Sequence, residues 1–376
     1  MDFAALPFSA EEMLAGLRPW VACESPTWDA ASVNRMMDLA ARDLMVMGAR
    51  VERIPGRMGF GDCVRATFAH ATPDVPGILA MGHLDTVHPL GTLAQLPWRV
   101  QNGRAWGPGI YDMKGGNYLV LEALRQLARA GIATRLPVTV LLTSDEEVGS
   151  PSTRDLIEAE GNRHKYVLVP EPARPDGGVV TGRYAIARFN LVATGRPSHA
   201  GARLAEGRSA IREMARQIIA IDEMTTEDCT FSVGVVNGGQ WVNCVATTCT
   251  AEALSMAKRQ SDLDAGVAAM LARSAMSNDV TFSVTRGVTR PVWEPDGKVM
   301  ALYERARAIA RSLGFDIAHQ SAGGGSDGNF TGAAGVATLD GLGVQGAGGH
   351  TLDEHIITDS LLQRGRLMAG LLASLD

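Results

Sequence analysis

Several features that define special classes of protein are scarce in this sequence. Its 376 residues include only five cysteines, and no two of them have CxxC spacing. This pattern favours reduced thiols in a cytoplasmic protein over a disulfide framework or a zinc–thiolate site. No stretch approaches the roughly 18 apolar residues of a membrane span. The first residues are acidic and not basic, from which we expect no secretory signal.

The sequence also lacks an excess of charge of either sign. Lysine and arginine total 35 and aspartate and glutamate total 41, for a net charge of −6. This balance gives no reason to expect nucleic acid or an anionic membrane as a partner. Apolar residues make up 46% of the chain, which favours a folded core over disorder. The length fits two domains, or one domain with an insertion.

Three short apolar runs between turn residues predict buried strands. They span 77–81, 138–142 and 166–169. Leucines at helical spacing predict a helix over 116–130, and Ser9 with Glu12 predicts the capped start of a helix that runs to Val46. Because strands here alternate with helices, we expect an α/β fold with a mixed, mostly parallel sheet flanked by helices.

The pattern changes between residues 177 and 293. Two predicted helices and about four strands there fit a small α+β domain, and the α/β style returns afterwards. We therefore predict one α/β domain, 1–176 and 294–376, that is interrupted by an inserted domain, 177–293.

Histidine and acidic residues follow the predicted strands at turn positions. His83 and Asp85 come directly after the first strand, and on an extended segment they point the same way. Because ligands bind beyond the carboxyl ends of strands in open α/β sheets, His83 is a candidate metal ligand with Asp85 behind it. Asp112 lies in a glycine-dense turn before the predicted helix, where a carboxylate can bridge two cations or cap the helix.

Three more clusters extend this set. Asp145, Glu146 and Glu147 follow the second strand, Glu171 follows the third, and His350 follows two glycines late in the chain. Successive acids repel one another unless a cation or proton neutralises them, although a solvated acidic loop is the alternative. Together the clusters supply the nitrogen and oxygen ligands that suit Zn²⁺, Mn²⁺ or Co²⁺.

The motifs, in this order, resemble the di-zinc metallopeptidases of family M20, which include carboxypeptidase G, acetylornithine deacetylase, succinyl-diaminopimelate desuccinylase and aminoacylase. The segments that carry the resemblance are 82–87, 112–116, 145–149, 170–172, 195–201 and 349–350. The carboxypeptidase G branch is most similar, through 284–287 and 323–327. Many of the chain's 42 glycines lie beside these motifs and the predicted substrate loops, where a permissive backbone suits a metal centre and a moving lid.

The resemblance implies a role for each of these residues. Asp112 would bridge two metal ions, zinc by preference with manganese or cobalt as alternatives. His83 and Glu171 would complete one site, and Glu147 and His350 the other. Asp85 would orient His83. Glu146 would be the general base that takes a proton from a metal-activated water.

The inserted domain corresponds in the family to a lid and dimerisation domain. The resemblance therefore implies a homodimer formed through residues 177–293. His199 would reach the active site of the partner subunit and help to stabilise the oxyanion.

The substrate side departs from the family pattern. Relatives that release C-terminal amino acids grip the carboxylate with a lid arginine that follows an asparagine. Asn243 matches the asparagine, but Met256 occupies the arginine position. A methionine cannot form the paired hydrogen bonds by which an arginine binds a carboxylate. Arg290 matches a second family arginine, and Lys258 or Arg259 are alternatives in the lid.

Two substrate classes stay open. The first hypothesis is a metal-dependent hydrolase that cleaves an amide or peptide bond in a small substrate, such as an N-acyl amino acid or a C-terminal glutamate. The alternative is hydrolysis of an aromatic C–N bond, as in a 5-nitroanthranilate-type deaminase, with Tyr184, Trp241 and Met256 as pocket walls and Gly324 in a substrate loop. A third reading, a catalytically dead binding protein, is disfavoured because Glu146 and all the expected ligands are present.

Overall fold

A computed structural model describes residues 2–376, which form two compact units. The first contains the described residues up to Gly182 together with Pro295–Ser321 and Ser326–Asp376. The second contains Arg183–Glu294 and Ala322–Gly325. No helix within residues 2–376 is both long and apolar enough to cross a membrane.

The helices and strands are numbered in chain order. The strands are β1 Arg50–Ile54, β2 Cys63–Thr67, β3 Ile78–His83, β4 Arg99–Gln101, β5 Arg104–Trp106, β6 Val138–Thr143, β7 Tyr166–Leu168, β8 Val179–Arg183, β9 Ala185–Thr194, β10 Cys229–Gly238, β11 Thr248–Ala257, β12 Ala275–Ser277, β13 Val280–Arg290, β14 His319–Ala322, β15 Ala337–Leu339, β16 Gly346–Ala347 and β17 His355–Ile357. The helices are α1 Ala10–Ala22, α2 Ala30–Val46, α3 Gly115–Arg129, α4 Arg154–Asn162, α5 Ala210–Asp222, α6 Gln260–Leu271, α7 Gly297–Ser312, α8 Gly328–Ala333 and α9 Thr358–Ser374.

The first unit is organised around a six-stranded sheet in the order β1-β2-β6-β3-β7-β15. Strands β6, β3, β7 and β15 are parallel, and β1 and β2 are antiparallel at one edge. The mixed, mostly parallel α/β sheet is therefore confirmed, and the three predicted strands are its neighbours β3, β6 and β7. Their carboxyl ends meet at one edge of the sheet, which brings the residues that follow each strand together.

One helix prediction is wrong. The segment predicted to run from Ser9 to Val46 is two helices, α1 and α2, separated by 23–29. Ser9 caps α1 as predicted, but Asp29 caps α2 separately by accepting the N–H of Ser32. The break allows Pro26 to pair with Thr86 beside strand β3, so this segment approaches the carboxyl edge of the sheet.

The second unit is an antiparallel sheet in the order β10-β11-β9-β13-β12, one strand more than predicted. In β9 the side chains of Phe189 and Leu191 are buried while Asn190 is exposed, and this period of two marks a sheet with one covered face. Helices α5 and α6 supply part of the same apolar core. The unit begins at Arg183 and not at 177, because β8 pairs with β14 in the first unit's segment.

Candidate metal centre

Three neighbouring strands deliver the first group of side chains. His83 is the last residue of β3, Glu146 and Glu147 follow β6, and Glu171 follows β7. Asp112 comes from elsewhere, in the turn between β5 and α3, and it does not cap that helix: Lys114 holds the N-cap position without a side-chain cap bond. Asp112 thus follows β5, a strand of the separate four-stranded sheet β16-β17-β5-β4, and not a strand of the six-stranded sheet.

Local backbone geometry brings the segments together. A Cβ on Gly116, in the first turn of α3, would lie 1.8 Å from the carbonyl oxygen of Pro170. Only glycine therefore allows α3 to pack directly on the segment that presents Glu171. His350 has a φ of +65°, an uncommon left-handed conformation for a residue with a side chain. That conformation is typical of functional sites, where the surroundings hold it in place.

Asp112 lies between two histidines. Its Oδ1 is 3.3 Å from His83 Nε2, and its Oδ2 is 3.3 Å from His350 Nε2. His350 Nε2 is also 3.3 Å from Glu147 Oε2. Each carboxylate oxygen of Asp112 thus faces a different imidazole, which is the arrangement expected of a ligand shared by two cations.

A second pair of acids surrounds His83. Its Nε2 lies 3.8 Å from Glu146 Oε2 and 3.8 Å from Glu171 Oε1. Donor atoms of His83, Asp112 and Glu147, and separately of His83, Glu146 and Glu171, lie within 4.8 Å of one another. The structure therefore brings together all five predicted ligands and the predicted base. It also places Glu146 as near to His83 as Glu171, so proximity alone does not separate base from ligand.

The hydrogen bonding of the donor atoms fits a metal site. Within residues 2–376, three buried atoms of the cluster have no hydrogen-bond partner: His83 Nε2, Asp112 Oδ1 and Glu147 Oε1. Buried polar atoms are nearly always satisfied, so three unsatisfied atoms on residues whose donor atoms lie within 4.8 Å of one another indicate a missing partner that can bind nitrogen and oxygen together. A divalent cation has that property.

The charges in the cluster are strongly coupled. Burial acts to lower the pKa of His83, but the carboxylates of Asp112 and Asp85 outweigh it and raise that pKa well above its usual value. Asp112 and then Glu147 raise the pKa of His350 to about 10. Burial, with the charge of Asp112 adding to it, raises the pKa of Glu171. Without metal, the crowded carboxylates therefore favour protonation of the histidines and of Glu171. Bound cations can supply the same compensating positive charge in place of these protons.

Asp85 organises the site more widely than the sequence suggested. His83 Nδ1 is closer to the backbone oxygen of Asp85, at 2.9 Å, than to its carboxylate, at 3.4 Å. The carboxylate instead accepts the N–H groups of Glu146 and Glu147, each at 3.2 Å, and the hydroxyl of Thr27 at 2.8 Å. Asp85 therefore holds the turn that carries both acids.

Sequence reasoning missed several supporting residues. Asn117 donates to the backbone oxygen of His83 at 2.5 Å, Thr27 contacts Asp85, and Glu354 contacts the backbone of the Asp112 turn. The signal for Asn117 and Glu354 was their position in the chain: Asn117 directly follows the motif glycine Gly116, and Glu354 comes four residues after His350. Thr27 offered no signal, because it lies in a segment predicted to be helix.

In the second unit, His199 and Asn243 lie on paired segments. His199 is opposite Cys244, and the N–H of Ala200 donates to the backbone oxygen of Asn243 at 2.9 Å. His199 Nδ1 accepts the N–H groups of Gly201 and Ala202 at 3.2 and 3.1 Å. Because Nδ1 is an acceptor, the neutral ring carries its proton on Nε2, where it is a hydrogen-bond donor.

The predicted substrate residues fall into two places. Met256 and Arg290 both pair with Ile186, so the three share one row across β11, β9 and β13. A Cβ on Gly323 would lie 3.6 Å from the Tyr184 ring and 3.8 Å from Met256. The next residue, Gly324, has a φ of +84°, and its carbonyl accepts from Arg183 at 3.3 Å.

Trp241 does not join this group within one chain. Met256 pairs with Thr230 near the start of β10, whereas Trp241 comes after the end of that strand at Gly238. At ~3.3 Å per residue the two ends are about 26 Å apart. The expected single wall of Tyr184, Trp241 and Met256 is corrected accordingly: the exposed Trp241 lies by the His199 segment.

Comparison with known proteins agrees with this fold. Residues 79–374 match the family described as peptidase family M20/M25/M40. Carboxypeptidase G2 from Pseudomonas sp. (strain RS-16) is 32% identical over 301 residues, which cover 78% of this chain and 72% of that protein. A succinyl-diaminopimelate desuccinylase from Alkalilimnicola ehrlichii is 26% identical over 356 residues, covering 85% and 89%. The crystal structure of a tripeptidase from Staphylococcus aureus aligns with a TM-score of 0.78 at 20% identity, covering 97% and 98%.

The family match and these relatives, together with the ligand cluster, indicate a metallohydrolase that acts on C–N bonds. The chain belongs to peptidase family M20/M25/M40.

Proposed function

We propose that this enzyme binds two divalent cations, zinc by preference, and hydrolyses the amide bond of a small N-acyl amino acid or a C-terminal glutamate. The observation that carries the proposal is the placement of Asp112 between His83 and His350, 3.3 Å from each through different oxygens. His83, Asp112 and Glu171 would hold one ion, and Asp112, Glu147 and His350 the other. When bound, the ions supply Lewis-acid activation of water and of the substrate carbonyl.

Glu146 fits the general base. Its N–H is held by Asp85 at 3.2 Å, and Oε2 is directed toward His83 at 3.8 Å. A carboxylate in that position can take a proton from the attacking water and return it to the leaving nitrogen. Asp85 keeps Glu146 in place through its hydrogen bonds to the same turn.

The carboxypeptidase G2 relative supports the first substrate class, because its name denotes release of a C-terminal residue. Arg290 is the candidate for the substrate carboxylate, since the family's other arginine position is Met256. A second candidate substrate is an aminobenzoate, and the specific observation in its favour is the apolar group formed by Met256, Tyr184 and Gly323. Asn243 and Gly324 are candidate substrate-binding residues under either hypothesis.

A substrate screen on zinc-reconstituted protein decides between the two classes. The panel contains N-acyl amino acids, folate-like glutamates and substituted anthranilates. We expect turnover of the first or second group, and loss of at least about 10²-fold in kcat for Glu146→Gln. Glu158→Gln is the matched control for loss of one acid, because Glu158 is a partly exposed residue of α4 that pairs with Arg154 at 2.7 Å. Turnover of anthranilates alone would replace the first substrate class by the second.

We also propose that the chain forms a homodimer through the second unit, with His199 acting in the partner's site. Strand β10 is an edge strand, and its Val235 and Val236 are exposed together with Ile219 on α5. An edge of unpaired N–H and C=O groups beside apolar side chains favours association with a second copy. The Nε2–H donor of His199 suits the oxyanion role.

Mixing two inactive variants tests both parts of this proposal. A dimer of one Glu146→Gln subunit and one His199→Gln subunit has one site with both groups intact. Random exchange should therefore restore about a quarter of wild-type activity, because half of the dimers are mixed and each has one active site. No recovery in a mixture shown to exchange subunits would place His199 outside the partner's site.

A further inference from the structure

Glu354 lies beside the proposed metal centre without being one of its ligands. The residue is only 1% exposed, and both of its carboxylate oxygens have two partners. Oε2 lies 2.6 Å from His88 Nε2 and accepts the N–H of Gly109 at 2.9 Å. Oε1 accepts the N–H groups of Tyr111 at 2.8 Å and Asp112 at 3.0 Å.

These contacts join three segments that carry ligands. His88 follows His83 by five residues, Gly109 and Tyr111 belong to the turn of Asp112, and Glu354 itself follows His350 by four residues. The segments are otherwise far apart in the chain, with 245 positions between Gly109 and Glu354. A single carboxylate therefore ties the backbone of the Asp112 turn to the side chain of His88 and to its own segment, which also carries His350.

The backbone of the Asp112 turn is suited to a carboxylate at the position of Glu354. Its N–H groups converge on one spot, and an ionised carboxylate can accept all of them with two oxygens. Hydrogen bonds to a charged acceptor are about twice as strong as neutral ones. A neutral amide has one acceptor oxygen and would present an NH₂ group to at least one N–H donor.

We infer that Glu354 is a positioning residue, which fixes the Asp112 turn so that the two oxygens of Asp112 face different histidines. This inference rests on the proposed metal centre. Glu354 acts on the metals only through the backbone of Asp112, so its loss should weaken metal binding more than it weakens the fold.

The test compares Glu354→Gln with Asp353→Asn. Asp353 is the adjacent acid on the same segment, but its side chain is 76% exposed and accepts from Trp106 Nε1 at 3.2 Å. Zinc binding to the metal-free full chain is measured by isothermal titration calorimetry, and thermal unfolding of the same metal-free samples reports the fold. We expect Glu354→Gln to bind zinc about 10–100-fold more weakly, the usual effect of losing an outer-shell partner, and Asp353→Asn to bind it within about twofold of wild type.

The outcomes separate this inference from the proposed function. Wild-type protein that binds no divalent cation would remove the metal centre and the inference together. Wild-type protein that binds zinc, with a folded Glu354→Gln variant of equal affinity, would overturn the inference alone. If metal-free Glu354→Gln does not fold, His88→Asn is measured in its place, because it removes a single partner of Glu354. Weakened zinc binding in that folded variant supports the positioning role, and unchanged binding overturns it.

Discussion

Replacing Gly116 by alanine sets two effects of opposite sign against each other. Gly116 lies inside α3, where alanine normally stabilises a helix by about 1 kcal/mol over glycine. Here the new Cβ would lie 1.8 Å from the Pro170 carbonyl oxygen and 3.0 Å from its carbonyl carbon. Ordinary C···O contacts are near 3.3 Å, so the helix and the Pro170 backbone must separate by roughly 1.5 Å.

Backbone atoms on both sides of this contact leave no flexible side chain to yield. Overpacking of this kind typically costs about 1–3 kcal/mol, so Gly116→Ala should lower the free energy of unfolding despite its better helix propensity. Because Pro170 precedes Glu171, the same shift moves a proposed ligand. A displacement of about 1 Å near a catalytic site can cost about 10²-fold in rate.

The matched control is Gly297→Ala at the start of α7, where a Cβ would meet no atom within 4 Å. Urea unfolding of the metal-free proteins and zinc titration are measured for both variants. We expect the control to be neutral or stabilised and Gly116→Ala to lose both stability and zinc affinity. A stabilised Gly116→Ala variant with wild-type zinc binding would refute the close approach of α3 to Pro170.

Three further changes test other parts of the structure. Thr27→Val removes the hydroxyl that donates to Asp85, and we expect a stability loss of about 1–2 kcal/mol by urea unfolding with a lower kcat at similar KM. Arg364 is buried and donates to three backbone carbonyls, so Arg364→Met should cost about 3–5 kcal/mol in the same assay; a loss under about 1 kcal/mol would contradict its role. Burial lowers the pKa of His164 in the folded protein. Below about pH 6.5 the unfolded chain therefore binds a proton at this imidazole more readily than the folded protein does, and stability falls. Wild type should therefore lose more stability than His164→Asn between pH 7.5 and 5.5, and equal losses would argue against that burial effect.

The sequence predicted those parts of the fold that depend on short-range pattern. Strands β3, β6 and β7 are continuous apolar runs, and their ends could be placed at one edge of a parallel sheet by a general rule of α/β folds. The break between α1 and α2 could not be found, because both helices have the same apolar period and the reason for the break is a long-range pairing of Pro26 with Thr86.

The same distinction applies to the site. His83, Asp112 and Glu147 stand in recognisable motifs, so their convergence could be expected. The role of Asp85 in holding the Glu146–Glu147 turn depends on backbone N–H directions, which residue types do not reveal. Trp241 was misplaced because the residue type gives no indication of which end of the β10–β11 pair it lies beside.

Metal stoichiometry tests most directly whether Asp112 is shared by two metal ions. Metal-free wild type and Asp112→Asn are loaded with zinc, freed of excess by gel filtration, and assayed by inductively coupled plasma mass spectrometry. We predict about two zinc ions per chain for wild type and at most about one for Asp112→Asn, because the amide has only one oxygen ligand to offer. A wild type that retains only about one ion or none, or an Asp112→Asn variant that retains two, would show that Asp112 is not shared by two ions.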